Sequence, residues 1–190
     1  MATPAPPDSA HALPSMSEVQ TGVPGLTLRC WRDGDQADLL AHANDRSVWR
    51  NLADIFPHPY RRTDADNWVA YAGSADHPHL LYAIALDDRV IGGAGVMAGE
   101  GNFRFTGQFG YWLGRAHWGK GFATTCAMAL KSAAFLRTPF VRLEAPVFEW
   151  NPASMRVLEK AGFAAESVRP KSMFKDGEII DTHLYVALRP

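Results

Sequence analysis

From Leu26 onward the chain runs through short segments whose apolar positions repeat every second residue or every third and fourth. The pattern predicts a strand over Leu26 to Trp31, a helix within Asp35 to Asn44 and another within Thr63 to Ala72. Two strands follow, His79 to Leu86 and Val90 to Met97, joined by Asp87-Asp88-Arg89 as a hairpin turn. A strand Phe105 to Leu113 leads through a glycine-bearing loop into a helix over Ala123 to Leu136. Strand Val141 to Phe148, helix Pro152 to Ala161 and two strands around Ala165 to Phe174 and Glu178 to Leu188 complete an α/β pattern without internal repeats. The helix after Trp150 is the most fully specified. Asn151 stands at its N-cap, Pro152 at its first position, Met155, Leu158 and Ala161 on one face, and Gly162 at its stop. Pro146 lacks the N–H of a ladder bond, so pairing of the preceding strand is expected to break or bulge there.

Residues 1–25 differ: Pro4, Pro6, Pro7, Pro14 and Pro24 lie among small and polar residues. Such a composition buries too little apolar surface to offset the entropy of ordering. It is expected to be a flexible arm before one domain spanning 26–190, a length that suits a single core.

A formal net charge of -1 provides no basic field for phosphate backbones or anionic lipid, so nucleic acid and membrane are not expected partners. Cys30 and Cys126 are the two cysteines, far apart and outside any C-x-x-C pattern, which argues against a disulfide framework or a cysteine zinc site. With no export or spanning segment visible, a cytoplasmic location is expected.

Gly114-Arg115-Ala116-His117-Trp118-Gly119-Lys120-Gly121 satisfies the G-x-x-x-x-G-K part of a nucleotide P-loop, but Gly121 replaces the hydroxyl residue that would hold magnesium. What remains is an anion cradle without metal: glycines that bare backbone N–H groups, the positive end of the next helix, and the Lys120 charge. A plain strand-to-helix turn is the competing interpretation. His77 and His79 lack the further ligands of a metal set, and no G-x-S-x-G elbow is present. Cys126 suits a buried filler better than a nucleophile. Asn151 and Ser154, taken alone, are ordinary capping residues.

In their order and spacing, Gly110-Tyr111-Trp112-Leu113, Trp118-Gly119-Lys120-Gly121-Phe122-Ala123-Thr124, and Asn151-Pro152-Ala153-Ser154 through Val157-Leu158-Glu159-Lys160-Ala161-Gly162-Phe163 resemble the GNAT superfamily. More narrowly, they resemble its ribosomal-protein-alanine N-acetyltransferase branch. Phe56-Pro57-His58-Pro59-Tyr60 and Ile91-Gly92-Gly93 extend the likeness over most of Leu26 to Leu188. The resemblance implies a single-domain, mixed and mostly antiparallel sheet of six or seven strands flanked by helices, with two central strands splayed around acetyl-CoA. It implies no metal. It places Gly119, Lys120, Gly121, Phe122, Ala123 and Thr124 at the pyrophosphate, the backbone of Tyr111, Trp112 and Leu113 along pantetheine, Asn151 on the cofactor arm, and Ser154 near the thioester sulfur.

The implied activity is acetyl transfer to an amine acceptor, modestly favouring a protein or peptide α-amine. Small-molecule amines of antibiotic or polyamine type, or a non-catalytic acyl-CoA-binding module, are the alternatives. A homodimer is left open. Ser154 is the candidate proton donor to the leaving thiolate. Many relatives carry Glu where this chain has Gln108, which cannot act as a base at neutral pH. Glu144, Glu149 and Glu166 are unranked replacements. Ala116 and Thr125 also depart from the common pattern, without removing the glycines on which phosphate binding depends.

Overall fold

In a computed structural model, residues 18–75 and 77–190 are described. The hairpin of β3 (Leu80–Leu86) and β4 (Arg89–Ala98) turns at Asp87 and Asp88, both at positive φ, a conformation that Asp tolerates and that matches the twist of paired strands. On its outer side, β2 (Leu26–Cys30) pairs with β3, and β1 (Val19–Gln20) pairs with β2. On the other side, β5 (Thr106–Leu113) pairs with the whole inner length of β4. The sheet continues through β6 (Arg142–Phe148), β8 (Glu178–Leu188) and β7 (Ala164–Lys175), giving eight strands in the order β1-β2-β3-β4-β5-β6-β8-β7. Only the β5–β6 contact is parallel among the pairings.

The extra strand is β1, which falls inside the segment expected to be a flexible arm. Its two residues join the sheet because Val19 reaches the core cluster opposite Leu28. The first 17 residues of that expected arm lie outside the described residues.

The helices cover both faces. On one face, α4 (Phe122–Arg137) and α5 (Pro152–Lys160) pack on Phe109, Leu143, Ala145 and Tyr185 through the buried Leu130 and Leu158. Burying each such leucine contributes about 1.5–3 kcal/mol. On the other face, α1 (Gln36–Ala43) and α3 (Arg62–Gly73) enclose a second cluster around Trp31, Leu39, Val69 and Leu81, with a one-turn α2 (Arg46–Trp49) between them in the chain. The α2 turn, absent from the periodicity, starts where the Asp45 carboxylate accepts from Ser47 N at 2.7 Å.

The tip of the β7–β8 hairpin docks on α2. Lys175 is almost fully buried, with its ammonium 3.7 Å from the Trp49 ring centroid and 2.7 Å from an Asp54 carboxylate oxygen. Arg46 and Arg50 both pair with Asp176 at the turn. A buried ammonium needs both an anion and hydrogen-bonding or aromatic compensation, and here it has each.

Pro146 does not interrupt the pairing of β6 with β8, which runs from Arg142 to Phe148 in one register with Pro146 opposite Leu184. The break expected at that proline lies on the other edge of β6, which leaves its partner β5 after Glu144.

Candidate active site

β5 and β6 are paired at Thr106 with Arg142, Gly107 with Leu143 and Gln108 with Glu144, and no further. Beyond that point β5 stays with β4 through Leu113 and β6 stays with β8 through Phe148. Phe109–Leu113 and Ala145–Phe148 thus present inner edges that face a gap with their ladder groups unclaimed by each other. Backbone polar groups in such a position need partners, and an extended, amide-bearing ligand arm supplies them in the manner of an added strand.

One mouth of the gap is framed by two helix starts. At α4, Gly121 is the N-cap in the left-handed conformation at φ 81°, with no side chain capping the helix; Gly119 lies at φ 74° just before it. A Cβ placed on either glycine meets nothing within 4 Å. The space beside the loop is open, and the first N–H groups of a 16-residue helix lack a side-chain acceptor. Trp118 anchors the loop by donating its indole N–H to the Leu113 carbonyl at 2.7 Å. Lys120 is exposed, and Phe122, Ala123 and Thr124 form the half-buried first turn. Behind the loop, His42 and His117 meet edge to face at 5.1 Å. Burial first, then His42 and Lys120, hold the His117 imidazole below its ordinary pKa.

At α5, Asn151 Oδ1 accepts from Ser154 N at 3.1 Å, as the capping pattern requires. The Ser154 hydroxyl lies 2.8 Å from the Tyr111 hydroxyl, which also reaches the Ser154 carbonyl at 3.3 Å. Strand alternation explains the meeting: Phe109, Tyr111 and Leu113 face α4 and α5, and the polar tip of a half-buried tyrosine must find a partner there. Burial pushes the Tyr111 phenol up to about 12, so it stays protonated at neutral pH. Sequence reasoning reached Tyr111 only through its backbone. The signal for its side chain was this alternation, which sets a hydroxyl on an apolar face.

Trp112 points to the opposite face, packing with Phe56 at 5.4 Å between ring centroids. That face also carries a cavity of about 340 Å³ lined by Met97, Gln108, Glu144, Pro146, Arg169 and Leu184, with Phe103 at its rim. The register explains the grouping, since Met97 lies opposite Gln108 and Gln108 beside Glu144, while Pro146 is opposite Leu184. Gln108 and Glu144 therefore sit together where the gap closes.

Arg142 holds Glu144 at 2.6 Å and also grips Glu166 through two bonds, at 2.9 and 2.5 Å. Bonds from Arg142 pull the Glu166 carboxyl below the usual range. Glu166 stands exposed on β7 and is not part of the cavity lining, and Glu149 instead accepts from Asp181 N at 3.1 Å near the sheet end. Of the three carboxylates considered as bases, Glu144 is the one beside Gln108. Cys126 is buried, as expected of a filler; burial drives its thiol well up, to about 12. The described residues contain no group of three or more potential metal ligands, and none of their helices is long and apolar enough to cross a membrane.

A family model described as an acetyltransferase (GNAT) domain matches residues 25–164. The probable N-acetyltransferase YjcK of Bacillus subtilis (strain 168) is 37% identical over 112 residues, 59% of this chain and 62% of that protein; the match thus spans about three-fifths of YjcK. Among solved structures, the ribosomal L7/L12 alpha-N-protein acetyltransferase RimL in complex with coenzyme A superposes with a TM-score of 0.78 at 18% identity, covering 90% of this chain and 98% of that one. A spermidine N-acetyltransferase from Vibrio cholerae, solved with CoA and spermine, gives 0.73 at 20% identity, covering 87% and 96%. At those identities the two structures speak for the fold alone, whereas the family match takes in the strands that part, the uncapped α4 and the whole of the capped α5. This chain belongs to the GNAT family of acetyltransferases.

Proposed function

We propose that the protein transfers an acetyl group from acetyl-CoA to an amine, with a peptide or protein α-amine modestly favoured over a small-molecule amine. The observation that carries this is the gap between β5 and β6, with an uncapped helix start at its mouth and the Tyr111–Ser154 hydroxyl pair on its edge. Both RimL and the spermidine enzyme were solved with CoA, which supports that ligand here. The residues fit it on their own account. The glycine loop leaves open space where a Cβ would stand, and its N–H groups and Lys120 suit a pyrophosphate.

Acetyl-CoA supplies the acyl group as a thioester. The free edges of β5 and β6 orient the arm, and Asn151 fixes the first turn of α5 so that Ser154 faces Tyr111. As an amine attacks the thioester carbonyl and the carbon–sulfur bond breaks, the Tyr111–Ser154 pair supplies a proton to the leaving sulfur. The phenol, raised to about 12 by burial, carries its proton at neutral pH. On the amine side Gln108 takes no proton, leaving Glu144, already held by Arg142, as the carboxylate at hand.

An α-amine, with a reference pKa of about 8 against about 10.4 for lysine, needs less help from a base near neutral pH, which favours it as acceptor. The likeness to the ribosomal-protein-alanine branch points the same way. A thiol-release assay over an amine and peptide library, with product masses, tests the proposal. Failure to turn over acetyl-CoA with any acceptor, despite CoA binding, would leave the second reading that Gln108 motivates: a non-catalytic acyl-CoA-binding module.

A further inference from the structure

The cavity beside the closing end of the gap carries a cation with no ion-pair partner among the described residues. Arg142 is committed to Glu144 and Glu166, Arg29 to Asp35, and Arg189 to the carbonyls of Phe140 and Thr138. The guanidinium of Arg169 forms no ion pair among the described residues; exposed, and near enough to Glu166 to help lower its pKa, it lines the same cavity as Gln108, Glu144, Pro146 and Leu184. Its placement is built in. The β7–β8 register shifts between Arg169 and Met173, with Lys171 at φ 52°. The irregular stretch is pinned by Ser172 Oγ donating to the Arg169 carbonyl at 2.8 Å, by the Ser172–Thr182 hydroxyl contact at 2.7 Å, and by Lys171 N donating to Asp181 at 2.8 Å. Strand irregularities of this kind re-aim a side chain next to a site.

We propose that this cavity takes an acceptor whose amine lies close to an anionic group, a carboxylate or a phosphate, and that Arg169 is the side chain that selects it. The proposal rests on the acetyl-transfer reading given above. A guanidinium offers paired donors matched to either anion. Glu144 and Gln108, where the gap closes, suit the ammonium end of the same molecule. A polyamine brings a second positive charge to Arg169 and is disfavoured, in contrast to the acceptor of the spermidine enzyme.

Matched acceptors test this and separate the sources of the anion. The pairs are an amino acid against its amide, phosphoethanolamine against ethanolamine, and a peptide with Asp against one with Asn at its second position. Each pair is run on the parent, Arg169→Met and Arg169→Lys, by thiol release and by calorimetric titration of the acceptor into the CoA-loaded protein. Comparing the same acceptors across variants cancels differences in amine basicity.

In at least one pair the parent should favour the anionic member, and Arg169→Met should raise KM for that member roughly 10- to 100-fold, the range of one charged hydrogen-bonded contact, with kcat little changed. Arg169→Lys should restore part of the loss. Turnover without anionic preference, or a preference untouched by Arg169→Met in a protein that melts like the parent, overturns the inference and leaves acetyl transfer standing. Arg169-dependent binding of the anionic member without turnover upholds it and overturns the catalytic reading; neither binding nor turnover overturns both.

Discussion

The starts of α4 and α5 flank the same gap and are built in opposite ways. At α5 the exposed donors of the first turn are met from within: Asn151 accepts from Ser154 N and Pro152 removes a donor altogether. At α4 the cap is Gly121, which brings no acceptor and holds a left-handed turn facing open space. The capped start fixes a side chain in place, the Ser154 hydroxyl against Tyr111. The uncapped start leaves its backbone groups without a side-chain acceptor, beside open space. A helix terminus can thus serve stability or binding, and the difference lies in whether the cap residue carries an oxygen.

Gly121→Val is expected to do the greatest damage. A β-branched residue is strained at φ 81°, and its side chain enters the open space beside the loop. CoA affinity should fall by about 100-fold or more while the far-ultraviolet spectrum stays that of the parent; unchanged affinity by calorimetry would return the loop to a plain turn. Ser154→Ala and Tyr111→Phe come next, each lowering the single-turnover rate by about 10²-fold with acetyl-CoA affinity nearly preserved. Because the two hydroxyls touch, the double variant should lose much less than the product of the single losses. Additive losses would show that the two hydroxyls act separately.

Asn151→Ala should cost about 1 kcal/mol of stability, the ordinary worth of a side-chain cap, and weaken the cofactor complex only a few-fold. Denaturant titration tests it, and a far larger loss of CoA affinity would make Asn151 chiefly a ligand contact.

The smallest effect concerns pH. His117 is held below its ordinary pKa chiefly by burial, so the unfolded chain takes up the proton first as pH falls. Its contribution to stability is whole above the unfolded value of about 6.5 and is lost as pH drops toward the lower folded value. The melting temperature between pH 7.5 and 5.5 should therefore fall less in His117→Gln than in the parent. Identical pH profiles would remove His117 from the account.

What could be read from the residues followed the same division. The α5 start was legible because Asn151, Pro152 and Gly162 impose backbone geometry directly, and the glycines of the α4 loop announced themselves for the same reason. Pro146 correctly marked a parting of strands, but a missing N–H does not say which neighbour will be lost; here the β8 side stays paired. β1 escaped notice because two residues give no periodicity and their pairing depends on the distant Leu28. The Tyr111–Ser154 contact and the commitment of Arg142 to two glutamates join residues far apart in sequence, through side-chain directions that only the assembled sheet sets.

The sheet order has a bearing on biogenesis. β8 follows β7 in the chain yet inserts between β7 and β6, and the hairpin it completes brings Lys175 under Trp49. A nascent chain synthesised only to the turn at Asp176-Gly177 has β6 as a bare edge and β7 with no sheet to join. Such edges invite pairing with other chains until they are filled. Emergence of β8 from the ribosome is thus the step that closes the sheet, and a ribosome stalled ahead of it would hold a β6 edge that holdase chaperones and proteases can engage.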